Sequence, residues 1–389
     1  MPIEQVENLI VGGGIIGLSI AYELSKRGKK VTLIERDQFG SKASWAGAGI
    51  IIPANADTAI HPLEHLEALS HEMHEQWANE LRIATGIDNG FRRCGGLYLA
   101  RTLGESAALS GQVAEWKTRE IEHEILDVKN RPAPFQNIQK CVLVPGESQF
   151  SNPHHTQALI QACRKLDAVL HENVGNTTIE YALGEIESIS SDTQQFRAQR
   201  YILASGPWTE QLVAPTNIPL PMQPVRGQIA LYKIEPSDNK SVQGTPLQGT
   251  IAGGAIINEG SRYLVPRQDG HVLAGATIEE VGFDCQTCPS EVDDLRRWAE
   301  SITNELNEST FVKSWAGLRP GTYDGFPYIG TLGQMENVFV ASGHFKGGLH
   351  LSTGTAMMIA DLVEHKTPAI DLRAFCPSRA ADHQSIESR

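Results

Sequence analysis

Long apolar runs are missing from this 389-residue chain. No stretch approaches the roughly 18 residues that would span a bilayer, which removes integral membrane proteins built on helices. Cysteine is sparse, with six scattered residues, so neither a disulfide framework nor a paired set of metal-binding CxxC motifs is present. Positive charge is also short. The formal net charge is -13, and nucleic acid rewards the opposite sign. No internal repeat and no low-complexity tract is visible. The opening MPIEQVENLIVGGG has no basic n-region and no cleavage site before its glycines, so the expectation is a cytoplasmic chain with reduced thiols.

What is present is ordinary globular composition: 41% hydrophobic, 20% charged, mean hydropathy -0.24 and 42.5 kDa. That length predicts roughly two to three domains. NLIVGGG reads as a buried strand, IIGLSIAYELSKRG as a helix with Leu18, Ala21, Tyr22 and Leu24 on its apolar face, and KKVTLIER as a second strand. Strand, helix and strand within about 30 residues is a βαβ unit and starts a parallel sheet. Further helices are expected over 62–81, 153–165 and 349–365, and a strand over 201–206. Between about 220 and 285 the pattern changes to alternation in GQIALYKI, SRYLVPR and HVLAGATI, which predicts antiparallel strands.

The fold expected is therefore α/β (α+β overall): a Rossmann-type dinucleotide-binding domain with an inserted, mainly antiparallel-sheet substrate domain. Residues 1–85, 145–220 and 315–377 fall to the first, 86–144 and 221–314 to the second, and 378–389 to a loose C-terminal tail.

Gly12, Gly14 and Gly17 match GxGxxG at a strand-to-helix junction. The first glycine allows the tight turn, the second a close approach of backbone to a pyrophosphate, and the third close packing of helix on sheet. The phosphates would sit at the helix N-terminus, where free N–H groups and the macrodipole favour negative charge. Glu35, 18 residues past Gly17, is placed to take ribose hydroxyls. An acid there disfavours a 2′-phosphate; NAD and FAD both stay open on this motif.

Six later segments, SKASWAGAGII, YILASGPW, PVRGQ, RYLVPR, WAGLRPGTYDGFPYIG and ASGHFKGGLHLSTGTA, follow in that order. Together they resemble the FAD-dependent amino-acid oxidase family, and within it the glycine oxidases tied to thiamine thiazole synthesis, over nearly the whole chain to about residue 375. The resemblance implies FAD as cofactor. It places Ile15, Ile16, Arg36, Ala43, Ser44, Ala48, Gly49, Ile50, Val174 and Gly206 along it, with Gly12, Gly14, Gly17 and Glu35. It passes His344, Phe345, Lys346, Gly347, Gly348, Leu349 and His350 by the isoalloxazine ring. It makes Arg319 the clasp for a substrate carboxylate, with Tyr263, Lys346 and Ile50 beside the substrate.

Two departures from the family pattern stand out: Lys346 where an arginine is usual, and Ile50 where a methionine is usual. No cysteine lies in 315–330, so the FAD is expected to be non-covalent. The implied reaction passes hydride from the substrate Cα to flavin N5, with dioxygen reduced to hydrogen peroxide and no protein acid or base required. The imine is then hydrolysed or used for thiazole formation. Partners implied are a small amino acid or amine and O2, with a homo-oligomer in keeping with the family.

Rival readings are a D-amino acid dehydrogenase delivering electrons to a quinone or carrier, a sarcosine oxidase, and a flavin-bound redox or assembly module without turnover. Plainer readings also exist for single residues. Arg319 could pair internally with Asp324, and Tyr263 could be a core aromatic. Cys285 and Cys288 form one isolated CxxC, which is expected to be neither metal site nor redox centre. His61, His65, His71 and His74 are expected on a solvated helix face, with His71 on the side opposite the core, and no metal site is expected.

Overall fold

The computed structural model describes residues 3–127, 135, 137–234 and 254–380. Two eight-stranded sheets organise it. In the first, Ile3–Val11 pairs in parallel with Val31–Ile34 on one side and Gln195–Leu203 on the other. Parallel pairing continues outward to Val169–His171 and, from residues 201–203, to Met335–Ser342. The hairpin strands Thr178–Ala182 and Glu185–Ser190, and the strand Tyr328–Leu332, add antiparallel edges.

Period-2 alternation divides the side chains of this sheet between two cores. Ile10, Leu33, Ile202 and Phe339 pack against the helices Ile15–Lys26, Pro62–Thr85, Asn152–Lys165 and Ser352–Val363. Leu9, Val11, Ile34, Leu203 and Val340 pack on the opposite face, against Ile179, Ile186 and Leu212. Strands covered on both sides have to be nearly all apolar, which is why NLIV and VTLI carry so little polarity.

The second sheet runs, in spatial order, Thr310–Gly321, Gln223–Lys233, His271–Gly275, Arg262–Pro266, Ile256–Glu259, Gly96–Ala100, Lys140–Val144 and Glu124–Ile125. It is antiparallel apart from the Ile256–Glu259 and Gly96–Ala100 pair. The helix Pro289–Ile302 covers it through Leu295, Trp298, Ala299 and Ile302. Among the described residues no helix is long and apolar enough to cross a membrane.

Four expectations need correcting. Residues 315–321, assigned above to the parallel-sheet side, belong to the strand Thr310–Gly321, which pairs along its length with Gln223–Lys233. Their two glycines read as turns, yet both are sites of close packing: a Cβ on Gly317 would crowd the Ala46 side chain, and one on Gly321 the carbonyl of Gln223. The last helix starts at Ser352 rather than Leu349, because residues 345–347 form a 3-10 turn instead. His74 is buried and His71 half-buried, not solvated. The helix Pro62–Thr85 is wedged between two other helices, so its buried arc is wider than one stripe. Finally, the expected tail is packed as far as the description goes: Ala380 is buried and Arg379 donates to Asp324 at 2.7 and 3.1 Å. Residues 381–389 lie outside the described residues.

Candidate active site

The parallel strands deliver their carboxyl ends to one edge, where ligands of such sheets bind. Gly12–Gly14 follow the first strand, Glu35 and Arg36 the second, Ala204–Gly206 the strand Gln195–Leu203, and Gly343–His350 the strand Met335–Ser342. A cavity of about 580 Å³ opens there and runs on to the antiparallel sheet.

Gly12 has φ +110°, and a Cβ on it would run into the Ala204–Ser205 backbone. The helix behind it begins at Ile15, and Gly14 at its N-cap has no side chain to cap that end. Ile15 N donates to Ser44 Oγ at 2.8 Å. Glu35 accepts from Gly13 N at 2.7 Å and from Asp37 N at 3.0 Å, which fixes its carboxylate at the cavity wall. Arg36 lies over the Trp208 ring at 3.9 Å, offering a flat cationic platform.

Farther along, His344 is buried and donor or acceptor to Thr355 Oγ1 at 3.0 Å, while its Nδ1 has no partner. His350 Nε2 is likewise buried and unpartnered. Burial pushes His344 down to about 3 and His350 well below the usual imidazole range, so both are neutral. Asn152 donates to Ser44 O at 2.7 Å and leaves its Oδ1 unpartnered. A glycine cradle at a helix start, a fixed carboxylate and unpartnered buried polar atoms fit a long dinucleotide ligand.

The antiparallel sheet supplies the other wall. Arg319 reaches across Gly227 of the neighbouring strand, where a Cβ would overlap its guanidinium. Its Nη1 donates to the carbonyls of Thr277 at 3.0 Å and Arg226 at 3.3 Å. No carboxylate among the described residues forms an ion pair with it; Asp324, the internal partner considered above, is taken by Arg379. Burial lowers the Arg319 pKa from its ordinary value, against the opposing pull of Tyr263 and Glu279. Tyr263 shares the cavity wall, its hydroxyl pushed up by desolvation. Its ring lies over Gly275, where a Cβ would overlap it. Lys346 stands exposed at the cavity rim, lowered by partial burial and by the nearness of Arg319.

Of the residues singled out from sequence, Gly12, Gly14, Ile15, Ile16, Glu35, Arg36, Ala43, Ser44, Ala48, Gly49, Ile50, Gly206, Tyr263, Arg319 and 344–350 all line this one cavity. Gly17 does not: it sits behind, where a Cβ would strike Gly12 O. Val174 is not among the lining residues, and its side chain is buried in the core with Ile34 and Leu203. Its backbone N–H donates to Glu35 O at 3.1 Å, and the nearby Asn176 and Thr177 line the cavity.

Sequence reasoning missed Asn152, Glu67, Gly227 and Ile278 on the wall. Only Gly227 had a signal, in PVRGQ; the others come from segments without motifs. Cys285 and Cys288 are free thiols outside the cavity, and no cluster of metal-ligating side chains exists among the described residues.

The Arg267 of RYLVPR locks the two walls together. It donates to Gln149 Oε1 at 2.6 Å, Phe150 O at 2.7 Å and Ala48 O at 2.8 Å.

Known proteins resemble this chain over nearly its whole length. A glycine oxidase from Geobacillus kaustophilus is 31% identical over 388 residues, covering 97% of this chain and 98% of its own. A bifunctional protein ThiO/ThiG from Synechocystis is 31% identical over 95% of this chain but only 53% of its own length. The crystal structure of glycine oxidase from Geobacillus kaustophilus matches with a TM-score of 0.85 and 30% identity, covering 97% of this chain and 99% of that one. The family model described as DAO, FAD dependent oxidoreductase, matches residues 8–362, and the chain belongs to that family of FAD-dependent enzymes.

Proposed function

We propose that this FAD-dependent enzyme oxidises glycine or a similarly small amino acid or amine, with dioxygen as electron acceptor. The observation that carries this is Arg319: a guanidinium in a cavity wall, aimed by two carbonyls, paired with no carboxylate among the described residues and beside the Tyr263 hydroxyl. A planar fork with a free edge matches a carboxylate in two places. The likeness to glycine oxidases supports the choice of substrate.

In this reading Gly12, Gly14, Ile15 and Ser44 hold the FAD pyrophosphate, Glu35 the ribose, and 344–350 flank the isoalloxazine. Bound FAD supplies a two-electron acceptor at N5 for the hydride of the substrate Cα. Arg319 and Tyr263 hold the carboxylate, which fixes the Cα and makes hydride transfer an event between positioned partners. Lys346 adds a second, less directional positive charge at the rim, and Ile50 limits the room beside the Cα.

No side chain on the substrate wall is required as a base, because the amine reacts in its neutral form, having already lost its proton to solvent. The imine product hydrolyses to an oxo acid and ammonia, or feeds thiazole formation for thiamine, in line with the ThiO/ThiG relative. Aerobic turnover of glycine with matched peroxide and glyoxylate tests this. Turnover only with an artificial acceptor would move the enzyme to the dehydrogenases.

A further inference from the structure

The two carbonyls that hold Arg319 come from different segments. Arg226 belongs to the strand Gln223–Lys233, and Thr277 to the connection 276–288 that follows His271–Gly275. One carboxylate ties the two together. Glu279 Oε2 accepts from Arg226 Nη2 at 2.6 Å and Nε at 3.2 Å. Its Oε1 accepts from Gln228 Nε2 at 2.7 Å and Thr277 Oγ1 at 2.5 Å.

The backbones repeat the link: Arg226 N donates to Glu279 O at 2.8 Å, and Glu279 N to Arg226 O at 3.0 Å. The Arg226 carbonyl is thus shared by Glu279 and Arg319. Beyond it, Arg226 Nη1 reaches Asp284 at 2.7 Å and Gln286 O at 2.9 Å. The same connection carries Ile278 onto the cavity wall.

We infer that Glu279 is a positioning residue for Arg319: by latching connection 276–288 to the strand, it sets the orientation in which the guanidinium meets a substrate carboxylate. The inference rests on the reading of Arg319 given under the proposed function. A binding constellation has to be held to about 0.5 Å and 10–20° to stay productive. A fork hung from two carbonyls keeps that precision only while the carbonyls keep their spacing. Glu279 is also an anion near Arg319 and so competes with the substrate for it. The two effects have opposite signs. If Glu279 acts only as a competing charge, Glu279→Gln tightens carboxylate binding; if it acts as the latch, the same change loosens it.

The test uses FAD-loaded holoenzyme carrying Glu279→Gln, with Glu280→Gln as a control at the exposed next residue. KM for glycine and the competitive inhibition constant of acetate are measured, with FAD content read from the flavin absorbance. The expected result is a rise of about tenfold or more in both constants, with FAD content unchanged and Glu280→Gln silent. Unchanged or tighter acetate binding in Glu279→Gln overturns the inference. If Glu279→Gln does not retain FAD, Asp284→Asn is read in the same way. It removes only the outer half of the latch, so a rise of about threefold is expected and no rise overturns the inference. Arg319→Ala run in parallel separates the two levels. A loss there with Glu279→Gln silent removes the positioning role alone, whereas a silent Arg319→Ala removes both.

Discussion

Gly227 lies directly beneath the guanidinium of Arg319, so close that any Cβ on it would overlap Cζ and both terminal nitrogens. It pairs in register with Gly317, two residues before the arginine. The glycine at 227 lets the long side chain fold back across its own sheet rather than stand away from it, while Gly317 makes room for Ala46.

Gly227→Ala should therefore displace the fork without touching the nucleotide end of the cavity. The expected outcome is a KM for glycine raised by about 10- to 100-fold with FAD still bound, since a misplacement near 1 Å costs on that order. Steady-state kinetics with FAD content measured alongside checks it; an unchanged KM would mean the arginine does not use this path.

Lys346 gives a pH signature. Its pKa is lowered, by partial burial first and by Arg319 second, so its positive charge is lost at a lower pH than for a free lysine. Substrate affinity should weaken on the alkaline side as that charge disappears, even while the neutral amine becomes more abundant. Lys346→Arg should remove this alkaline rise in KM and tighten glycine binding at neutral pH, because arginine keeps its charge and adds a fork. Identical KM–pH profiles for the two proteins would place Lys346 away from the substrate.

The buried imidazoles set acid stability. His155 has no hydrogen-bond partner on either nitrogen among the described residues, packs on Phe150 at 4.5 Å, and is pushed by burial, then by His74, down to about 3. His74 is pushed to about 4. The unfolded chain binds these protons near pH 6.5 and the folded one does not. Stability is therefore complete above about pH 6.5 and is lost as pH falls towards the folded values. One such group costs about 2 kcal/mol at pH 5 relative to pH 7.5. His155→Leu, similar in volume and free of titration, should lose less stability between those pH values than the parent. Denaturant melts at both pH values measure this, and equal losses would contradict it.

Arg267 is a structural clamp rather than a binding group. Its three acceptors are Gln149, Phe150 and Ala48, and burial brings its pKa down to about 10. Arg267→Met should cost about 2–4 kcal/mol, because it strands buried acceptors that now receive charge-assisted bonds. Because Ala48 lines the cavity, FAD should also dissociate more readily. Unfolding curves and a filtration assay for flavin retention decide both points.

The glycine turn and the acid after the second strand were legible because they are local. Gly12, Gly14 and Gly17 with Glu35 lie within one βαβ unit, and each has a backbone reason for its identity. Arg319 and Tyr263 were legible only through motif resemblance. What brings them together is the pairing of strands far apart in sequence, and glycines 227 and 275 that matter only once those strands are side by side. His71 and His74 were misplaced because one apolar stripe was counted on the helix Pro62–Thr85, while other helices pack on two of its sides. The Glu279 knot left no trace in the sequence, since charged residues in a polar connection look like solvated surface.

The most direct test of the central claim is anaerobic mixing of the FAD-loaded enzyme with glycine, sarcosine and D-alanine, followed by air, for the parent and for Arg319→Ala. The account predicts that the oxidised flavin band of the parent bleaches with glycine and returns with air as peroxide appears. It predicts that Arg319→Ala keeps its FAD and loses about 30- to 1000-fold in kcat/KM, equivalent to about 2–4 kcal/mol. A flavin band that never bleaches with any of the three, or an Arg319→Ala variant that matches the parent on glycine, would contradict it.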